Sequence, residues 1–226
     1  MHSVEIIPSL PALSFLELSQ KLERVRGLVS TFQIDVADGL FVTNRSWPMN
    51  RTDRAQFERL LTKKERLPYA DEFSFEVHFM AHHPEHLLTE WVKIGIVRAL
   101  FHIESQHDFG ALVRQAETSG IELGAAIKLG TPIERLDAYI AELSVVQVMG
   151  IDPIGVQGQP FDPRALDVIG ALRERFPDVT IAVDGAVHAE SAPLVVSAGA
   201  TRLAPGSFVL NSDNPTEALA SLIHAL

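Results

Sequence analysis

VVQVMGIDPIGVQGQPFDPRALDVIGALRERF, residues 145–176, contains the pattern that decides the fold. It begins with the apolar, β-branched run Val145–Ile151, which is typical of a buried strand. Asp162-Pro163 then places a capping side chain ahead of a proline in the first helical turn, and apolar residues recur at helical spacing through Leu166–Leu172. The stretch therefore predicts one strand followed by one amphipathic helix.

The same unit recurs along the whole chain. The predicted strands are Val4–Leu10, Phe32–Ala37, Phe73–Met80, Val97–Glu104, Glu122–Leu129, Val145–Ile151, Val179–Asp184 and Thr201–Leu203. The predicted helices are Ser14–Arg26, Asp53–Arg66, Pro84–Ile94, Phe109–Ser119, Pro132–Leu143, Pro163–Phe176, Ala189–Ala198 and Pro215–Ala225. Strands that alternate with helices require parallel pairing and right-handed crossovers.

Eight strand–helix units in 226 residues most simply close into a (β/α)8 TIM barrel, an α/β fold, as a single domain over residues 1–226. An open doubly wound sheet is the alternative. That fold usually has a glycine-rich turn after its first strand, whereas this turn reads Pro8-Ser9-Leu10-Pro11. We therefore expect the barrel.

Composition excludes several classes of function. The chain has 19 Lys and Arg against 29 Asp and Glu, a net charge of −10, so its overall field repels nucleic acid and anionic membranes. It has no cysteine, which excludes disulfides, thiolate metal sites and cysteine nucleophiles. The N-terminus lacks a signal-peptide pattern, and no apolar run approaches the roughly 20 residues that span a bilayer. We expect a cytoplasmic protein with no membrane partner.

In a TIM barrel the chemistry belongs at the carboxyl ends of the strands. Period-two alternation on the second predicted strand sends Gln33 and Asp35 to the face opposite Ile34 and Val36, and hence into the barrel mouth. The same alternation sends His78 inward, and Asp184 ends the seventh strand. A lone Asp at a strand end is often only a turn former, but two Asp and a His around one mouth indicate a site.

The two acids also lie on different sides of that mouth. Their strands are three steps apart around an eight-stranded ring, which separates Asp35 and Asp184 by about 135° about the axis. Such a placement suits a reaction in which one carboxylate removes a proton and the other returns it on the opposite face, an epimerisation. Two glycine-bearing loops, Gly155–Phe161 and Ala204–Ser207, follow the sixth and eighth strands and are candidates for phosphate binding through backbone N–H groups.

Seven short motifs now appear in one order along the chain. They are Ile7–Leu10, Asp35–Val42, Val77–Met80, Phe101–Glu104, Ala126–Lys128, Gly158-Gln159 and Val183–Gly185. Together they resemble the motifs of the ribulose-phosphate 3-epimerases over nearly the whole chain. The resemblance implies an isomerase of carbohydrate metabolism that interconverts ribulose 5-phosphate and xylulose 5-phosphate at C3 on a ribulose-phosphate-binding barrel. It also implies a homo-oligomer.

The resemblance also implies roles for individual residues. It assigns acid and base catalysis to Asp35 and Asp184, and one divalent metal ion (zinc, iron, manganese or magnesium) to Gln33, Asp35, His78 and Asp184. Ser9 would contact the substrate, and Ala37, Met80 and Met149 stand where the family has covering methionines. The phosphate-binding positions are Gly158, Gly185, Ala186, Gly206 and Ser207.

The departures from the family mark a divergent member. Gln33 stands where the family has a His ligand, and a glutamine carbonyl is a harder and weaker donor than imidazole. We therefore expect a metal site that is weakened, biased toward a harder metal, or lost. Ala186 replaces the second glycine of an Asp-Gly-Gly motif, and Ala37 leaves room where a methionine usually packs. Without a metal, Lys128 is the nearest candidate electrophile, although a solvated lysine explains it equally well.

Other histidines of the sequence allow weaker inferences. His102 and Glu104 alternate with apolar residues on the fourth strand, so both point inward and are placed to orient His78. His82, His83 and His86 flank Pro84, which breaks their helical register and indicates a loop and the first turn of a helix.

Three functions stay open on the sequence alone. The first is an epimerase of ribulose 5-phosphate or of another ketose phosphate such as a hexulose 6-phosphate. The second is a different enzyme on the same barrel; the decarboxylase relatives carry Asp-x-Lys-x-x-Asp, which Asp35-Val36-Ala37-Asp38 lacks. The third is a non-catalytic sugar-phosphate-binding homologue that has lost its metal site, suggested by Gln33.

Overall fold

A computed structural model describes residues 4–50, 53–105, 108–156 and 158–226. Gln157 of the candidate phosphate loop and Met1–Ser3 of the N-terminal stretch fall outside these ranges. The strands of the described part are β1 (Glu5–Ile6), β2 (Ser9–Leu10), β3 (Thr31–Ala37), β4 (Ser74–Met80), β5 (Arg98–His102), β6 (Glu122–Ile127), β7 (Val145–Met149), β8 (Ile181–Asp184) and β9 (Arg202–Ala204). The helices are α1 (Phe15–Val25), α2 (Arg54–Leu61), α3 (Glu85–Ile94), α4 (Phe109–Ser119), α5 (Arg164–Arg175), α6 (Ala192–Ala198), α7 (Ser207–Leu210) and α8 (Pro215–Ala225).

The sheet closes through its first strand. Consecutive strands pair in parallel from β2 to β9, and β1 pairs with β9. The Ile7 amide donates to the Leu203 carbonyl at 2.8 Å, whereas the Pro8 carbonyl accepts from the Gln33 amide at 2.9 Å. Pro8 has no N–H to donate, and the ladder is interrupted there between β1, which pairs with β9, and β2, which pairs with β3. The two halves act as one strand, and the predicted (β/α)8 barrel is confirmed.

The outer face of the barrel packs on the helices. Ile34 and Val36 of β3 and Val77 and Phe79 of β4 are fully buried in the main apolar core. Phe79 stacks on Phe101 of β5 with ring centroids 4.7 Å apart. Because alternate residues of each strand are committed to this packing, the remaining ones must fill the barrel interior.

The amino-terminal end of the interior is closed by buried charges. Glu76 accepts from Arg98 at 2.7 Å and from Arg202 at 2.9 Å, and Arg202 also binds Glu5 at 2.8 Å. Glu76 is 1% and Arg202 4% exposed. The site residues lie at the opposite, carboxyl end. The buried charges that stabilise the barrel are therefore separate from the residues of the candidate site.

One predicted helix is wrong. Pro132–Leu143 forms two short 3-10 helices, Ile133–Leu136 and Ile140–Glu142, instead of one amphipathic helix. Arg135 donates to the Ile103 carbonyl at 2.7 Å, and Asp137 forms an ion pair with Arg175. These contacts hold the segment in tighter turns than an α-helix has, which apolar spacing alone does not reveal.

Smaller differences concern helix ends. The helix predicted over Asp53–Arg66 ends at Leu61, and Lys63 just beyond it has a left-handed φ of 54°. The helix predicted from Ala189 begins at Ala192, while α7 was not predicted. Among the described residues, no helix combines the length and apolar character needed to cross a membrane.

Candidate active site

Three ionisable side chains meet at the carboxyl end of the barrel. Asp35 on β3 and His78 on β4 are register partners, and Asp184 ends β8. Nδ1 of His78 lies 3.2 Å from Oδ1 of Asp35 and 3.5 Å from Oδ2 of Asp184. All three residues are buried, and one ligand atom from each lies within 4.8 Å of the others. The inward faces predicted from alternation therefore converge on one point.

Burial and mutual charge perturb these groups strongly. Burial raises the pKa of Asp35, and the neighbouring charge of Asp184 raises it further. Burial opposes a charge on His78, but hydrogen bonds to Asp184 and Asp35 outweigh it and raise the pKa of His78 to about 9. In the absence of another cation, His78 is therefore the positive charge that allows two buried carboxylates to lie side by side.

Behind His78 a chain of hydrogen bonds leads to Glu104. Nε2 of His78 lies 3.0 Å from Nε2 of His102, and Nδ1 of His102 lies 3.1 Å from Glu104. Burial lowers the pKa of His102 to about 4, so this ring is neutral. Glu104 accepts the Nδ1 proton of His102, whose Nε2 lone pair then accepts the Nε2 proton of His78. Nδ1 of His78 is left facing the two aspartates.

Two buried glutamines complete the surroundings of His78. Nε2 of Gln33 donates to Oδ1 of Asp35 at 3.0 Å. Nε2 of Gln147, on β7, lies 3.3 Å from Nδ1 of His78 and 3.5 Å from Oδ2 of Asp184. Within the part of the chain that the structure describes, the buried Oε1 atoms of both glutamines have no hydrogen-bond partner. Sequence reasoning missed Gln147, although its position between Val146 and Val148 carries the same alternation that identified Gln33.

Asp184 is further held by Ser9. The Ser9 hydroxyl donates to Oδ1 of Asp184 at 3.1 Å, and Ser9 itself is 2% exposed. Ser46, which the sequence did not single out, holds the β3 end: its hydroxyl donates to the Asp35 carbonyl at 2.7 Å and accepts from the Ala37 amide at 2.9 Å. Both catalytic candidates are thus fixed by hydroxyl groups from other segments.

Asp38 has a structural role in this arrangement. Its carboxylate accepts the backbone N–H groups of Leu40, Phe41 and His82 at 2.7–2.9 Å. It thereby fixes the loop after β3 against the loop after β4. Gly39, with φ of 77°, takes a conformation that favours glycine and lies directly against the Arg45 side chain.

A cavity of about 920 Å³ opens above these side chains. Asp35 and Asp184 lie at its base, with Ser9, Ala37, Met80 and Met149 around them. The candidate phosphate-binding residues Gly158, Gly185, Ala186, Gly206 and Ser207 also line it. One cavity therefore contains every predicted substrate-contacting residue, while His78 and Gln33, both 0% exposed, lie beneath it.

Ala186 takes the backbone conformation that a glycine would favour. Its φ is 53°, and its carbonyl accepts the Ser191 hydroxyl at 2.7 Å. Gly150 permits a close approach here, because a Cβ at this position would overlap the carbonyl oxygen of Gly185. The turn after β8 therefore keeps its left-handed geometry despite the alanine.

Other sequence candidates take different places. Nζ of Lys128 lies 3.8 Å above the Phe41 ring, which itself packs 4.9 Å from the His102 ring. His82 and His83 lie in the loop after β4, as predicted, and contact each other there. Among the histidines, the group of described residues able to hold a metal contains His78 alone.

The donor set fits a divalent metal ion. Asp35, His78 and Asp184 offer two carboxylates and an imidazole within one small volume, and Gln33 adds a buried carbonyl oxygen that lacks a partner. Carboxylate and imidazole are common ligands of divalent metals in proteins. The described residues therefore contain a buried Asp–His–Asp group that can hold a metal.

Comparison with known proteins identifies the family. The model of the ribulose-phosphate 3 epimerase family matches residues 5–210. A ribulose-phosphate 3-epimerase of Candida glabrata is 31% identical, covering 95% of this chain and 89% of that protein. One of Eremothecium gossypii is 33% identical, covering 90% and 85%.

Solved structures support the fold. The 3-keto-L-gulonate-6-phosphate decarboxylase of Vibrio cholerae superposes with a TM-score of 0.72 at 11% identity, covering 100% of this chain and 97% of that one. This likeness extends to the barrel alone. The sequence matches go further: the chain belongs to the ribulose-phosphate 3-epimerase family.

Proposed function

We propose that this protein interconverts ribulose 5-phosphate and xylulose 5-phosphate by moving the proton at C3 from one face of the sugar to the other. The observation that carries the proposal is the pair Asp35 and Asp184. They are buried at the base of one cavity, on strands three steps apart around the barrel, and both are within 3.5 Å of the same His78 nitrogen.

In this proposal each carboxylate acts on one face of C3. The neighbouring C2 ketone acidifies the C3 proton, and its removal leaves an enediolate. Asp35 or Asp184 removes the proton in one direction, and the other returns a proton to the opposite face. The raised pKa of Asp35 suits it to hold a proton between the two transfers. Ser9 fixes Asp184, and Ser46 fixes the backbone of Asp35.

Asp35, His78 and Asp184 would hold a divalent metal, with Gln33 as a further oxygen donor. When bound, the metal would stabilise the negative charge of the enediolate. Without the Nδ1 proton that it carries in the absence of another cation, His78 would present an Nδ1 lone pair, and the hydrogen-bond chain from Glu104 would keep that lone pair directed toward the metal position. The identity of this metal is part of the proposal.

The phosphate group of the substrate is assigned to the far side of the cavity. Gly158, Gly185, Ala186, Gly206 and Ser207 line it there, and backbone N–H groups at such turns bind phosphate without any basic side chain. A chain of net charge −10 cannot attract an anion by its overall field, so local dipoles must hold it. Met80 and Met149 would cover the reacting centre.

Hydrogen exchange tests this function directly. Incubation with ribulose 5-phosphate in deuterated water should place deuterium at C3 of both epimers, read by proton NMR. Asp35→Asn and Asp184→Asn should each abolish epimerisation in both directions, and each should leave exchange only in the epimer whose face the remaining carboxylate serves. The control is Asp137→Asn, which removes an exposed carboxylate remote from the cavity. Unchanged exchange in either site variant would contradict the assignment.

One observation favours a second substrate. Ala37 lies beside Met80 and Met149 at the cavity wall, and the cavity volume is near the upper end of the range of about 300–1,000 Å³ for ligand pockets. A hexulose 6-phosphate is the larger candidate, and the exchange assay with it decides between the two. Tight binding of either sugar phosphate without exchange, after loading with several metals, would instead indicate a non-catalytic binding protein.

A further inference from the structure

Gln147 occupies a buried position where an apolar side chain would stabilise the folded chain more than an amide does. It is 0% exposed, and its register partners on the neighbouring strands are Ala126 and Ala182. These small residues leave the barrel interior open to a longer side chain from β7. An amide placed there loses its hydration, which destabilises the folded chain for each polar group left unpaired.

Hydrogen bonding within the protein does not account for this amide. Among the described residues, the carbonyl oxygen of Gln147 has no hydrogen-bond partner, and its nitrogen makes only long contacts, 3.3 Å from Nδ1 of His78 and 3.5 Å from Oδ2 of Asp184. Gln33 is in the same condition on β3, with a nitrogen 3.0 Å from Asp35 and an unpaired oxygen. Two amides with the same deficit thus flank the same three ligand atoms.

The spacing of these atoms is that of ligands around one ion. Donors at about 2.1 Å from a metal are about 3.0 Å apart in octahedral and about 3.4 Å apart in tetrahedral geometry. His78 lies 3.2 Å from Asp35 and 3.5 Å from Asp184, and the two amide contacts to His78 and Asp35 fall in the same range. The inward nitrogens of Gln33 and Gln147 are therefore spaced from Asp35 and His78 as two ligands of one ion would be.

An amide can exchange its nitrogen and oxygen by rotating its last torsion through 180°, at almost constant shape. Without a cation the N–H end belongs beside the carboxylates. With a cation the oxygen end belongs there, because only the oxygen has lone pairs to donate.

We propose that Gln147 is a ligand of the divalent cation, so that Gln33 and Gln147 together with Asp35, His78 and Asp184 form an oxygen-rich site that prefers manganese or magnesium to zinc. Four of its five donors are oxygens, which hard cations prefer, and the single imidazole gives zinc little advantage. The inference rests on the proposed use of the Asp–His–Asp group as metal ligands. It adds a residue from β7 and a choice of metal.

Cation binding to the chelator-treated chain tests this without an activity measurement. Calorimetric titration with Mn²⁺ should show at least a ten-fold weaker Kd for Gln147→Leu than for the natural chain, while the Kd for Zn²⁺ changes less than three-fold. The Co²⁺-loaded natural chain should show the weak visible absorption of five or six ligands, and Gln147→Leu a more intense, tetrahedral spectrum. Gln115→Leu, the same change at a half-buried position of α4 remote from the cavity, should match the natural chain in both.

A second variant keeps the test decisive if Gln147→Leu does not fold. Gln147→Glu retains an oxygen at the same position, so Mn²⁺ should bind it at least as tightly as the natural chain and should raise its Tm. A packing role predicts the opposite, since a buried charge would destabilise the variant with or without Mn²⁺. Equal Mn²⁺ affinity and equal Co²⁺ spectra in Gln147→Leu, or no Mn²⁺ stabilisation of Gln147→Glu, would overturn the inference.

The deuterium exchange assay separates this inference from the proposed function. If Mn²⁺ binding depends on Gln147 but no ketose phosphate exchanges, the ligand assignment stands and the epimerase function fails. If exchange occurs while Gln147→Leu binds Mn²⁺ like the natural chain, the function stands and the ligand assignment fails.

Discussion

Glu104→Gln is the sharpest test of the hydrogen-bond chain behind His78. The substitution keeps the shape of the side chain and removes the negative charge 3.1 Å from Nδ1 of His102. Burial opposes the charge on Glu104, yet hydrogen bonds from His102, Thr131 and the Lys128 amide lower its pKa from 4.5 to about 2. The variant should therefore differ from the natural chain in how its stability depends on pH.

The sign follows from the lowered pKa. A carboxylate with a lower pKa in the folded state adds stability that is complete above its unfolded pKa of 4.5 and is lost as the pH falls toward its folded pKa of about 2. At about 1.4 kcal/mol per pKa unit, the whole contribution is about 3 kcal/mol. About 1.4 kcal/mol of it is already lost at pH 3.5. The Glu104→Gln variant would lack this dependence.

Urea unfolding of the metal-free proteins, followed by circular dichroism at pH 7 and pH 3.5, measures the effect. The free energy difference between the natural chain and Glu104→Gln should shrink by about 1.4 kcal/mol from the higher to the lower pH. Glu117→Gln, an exposed residue of α4, is the control and should show no such change. A difference that is constant with pH, or that grows toward acid, would refute the charge-stabilised chain from Glu104 to His78.

Three further substitutions test separate parts of the site. Gln33→His should raise the zinc content of the purified protein, measured by elemental analysis, whereas equal content in both proteins would show that the glutamine is no handicap for zinc. Ala186→Gly should raise the free energy of urea unfolding by about 1 kcal/mol, because alanine at φ of 53° is strained; a loss of stability would contradict this. Gly150→Ala should lower the free energy of unfolding by about 1–3 kcal/mol, because the new Cβ meets the Gly185 carbonyl. Gly170→Ala is its control, because outside its own helix backbone no described atom lies within 4 Å of the added Cβ.

The positions of Asp35, His78 and Asp184 were accessible from sequence because barrel strands obey a strict alternation. Once Ile34 and Val77 are assigned to the outer packing, their neighbours must point inward, and strand order then places Asp184 opposite. The parallel register pairs Asp35 with His78, so both side chains lie at the same depth in the barrel and close together.

Alternation does not report what faces a side chain across the barrel. Gln147 and His78 are 69 positions apart and lie on strands β7 and β4, which are not neighbours, so their contact depends on the shear of the closed barrel. The same limit explains the wrong helix over Pro132–Leu143, where Arg135 and Asp137 are held by partners from other segments. Where local spacing is compatible with both an α-helix and tighter turns, tertiary contacts of this kind decide which conformation forms.

Two of the departures from the family at the site, Ala186 and Gln33, differ in what they change. Ala186 adds a side chain but keeps the left-handed turn. Because phosphate is assigned to backbone N–H groups, this departure should leave phosphate binding in the cavity unchanged. Gln33 alters the donor atom itself, and Gln147 brings a second amide to the same three ligands. Divergence should therefore appear in the choice of cation and much less in the affinity for a sugar phosphate. One sugar phosphate can be titrated into the chain loaded in turn with manganese and zinc. The Kd for the sugar phosphate should change little between the two metals, whereas the rate of exchange at C3 should depend on which metal is bound.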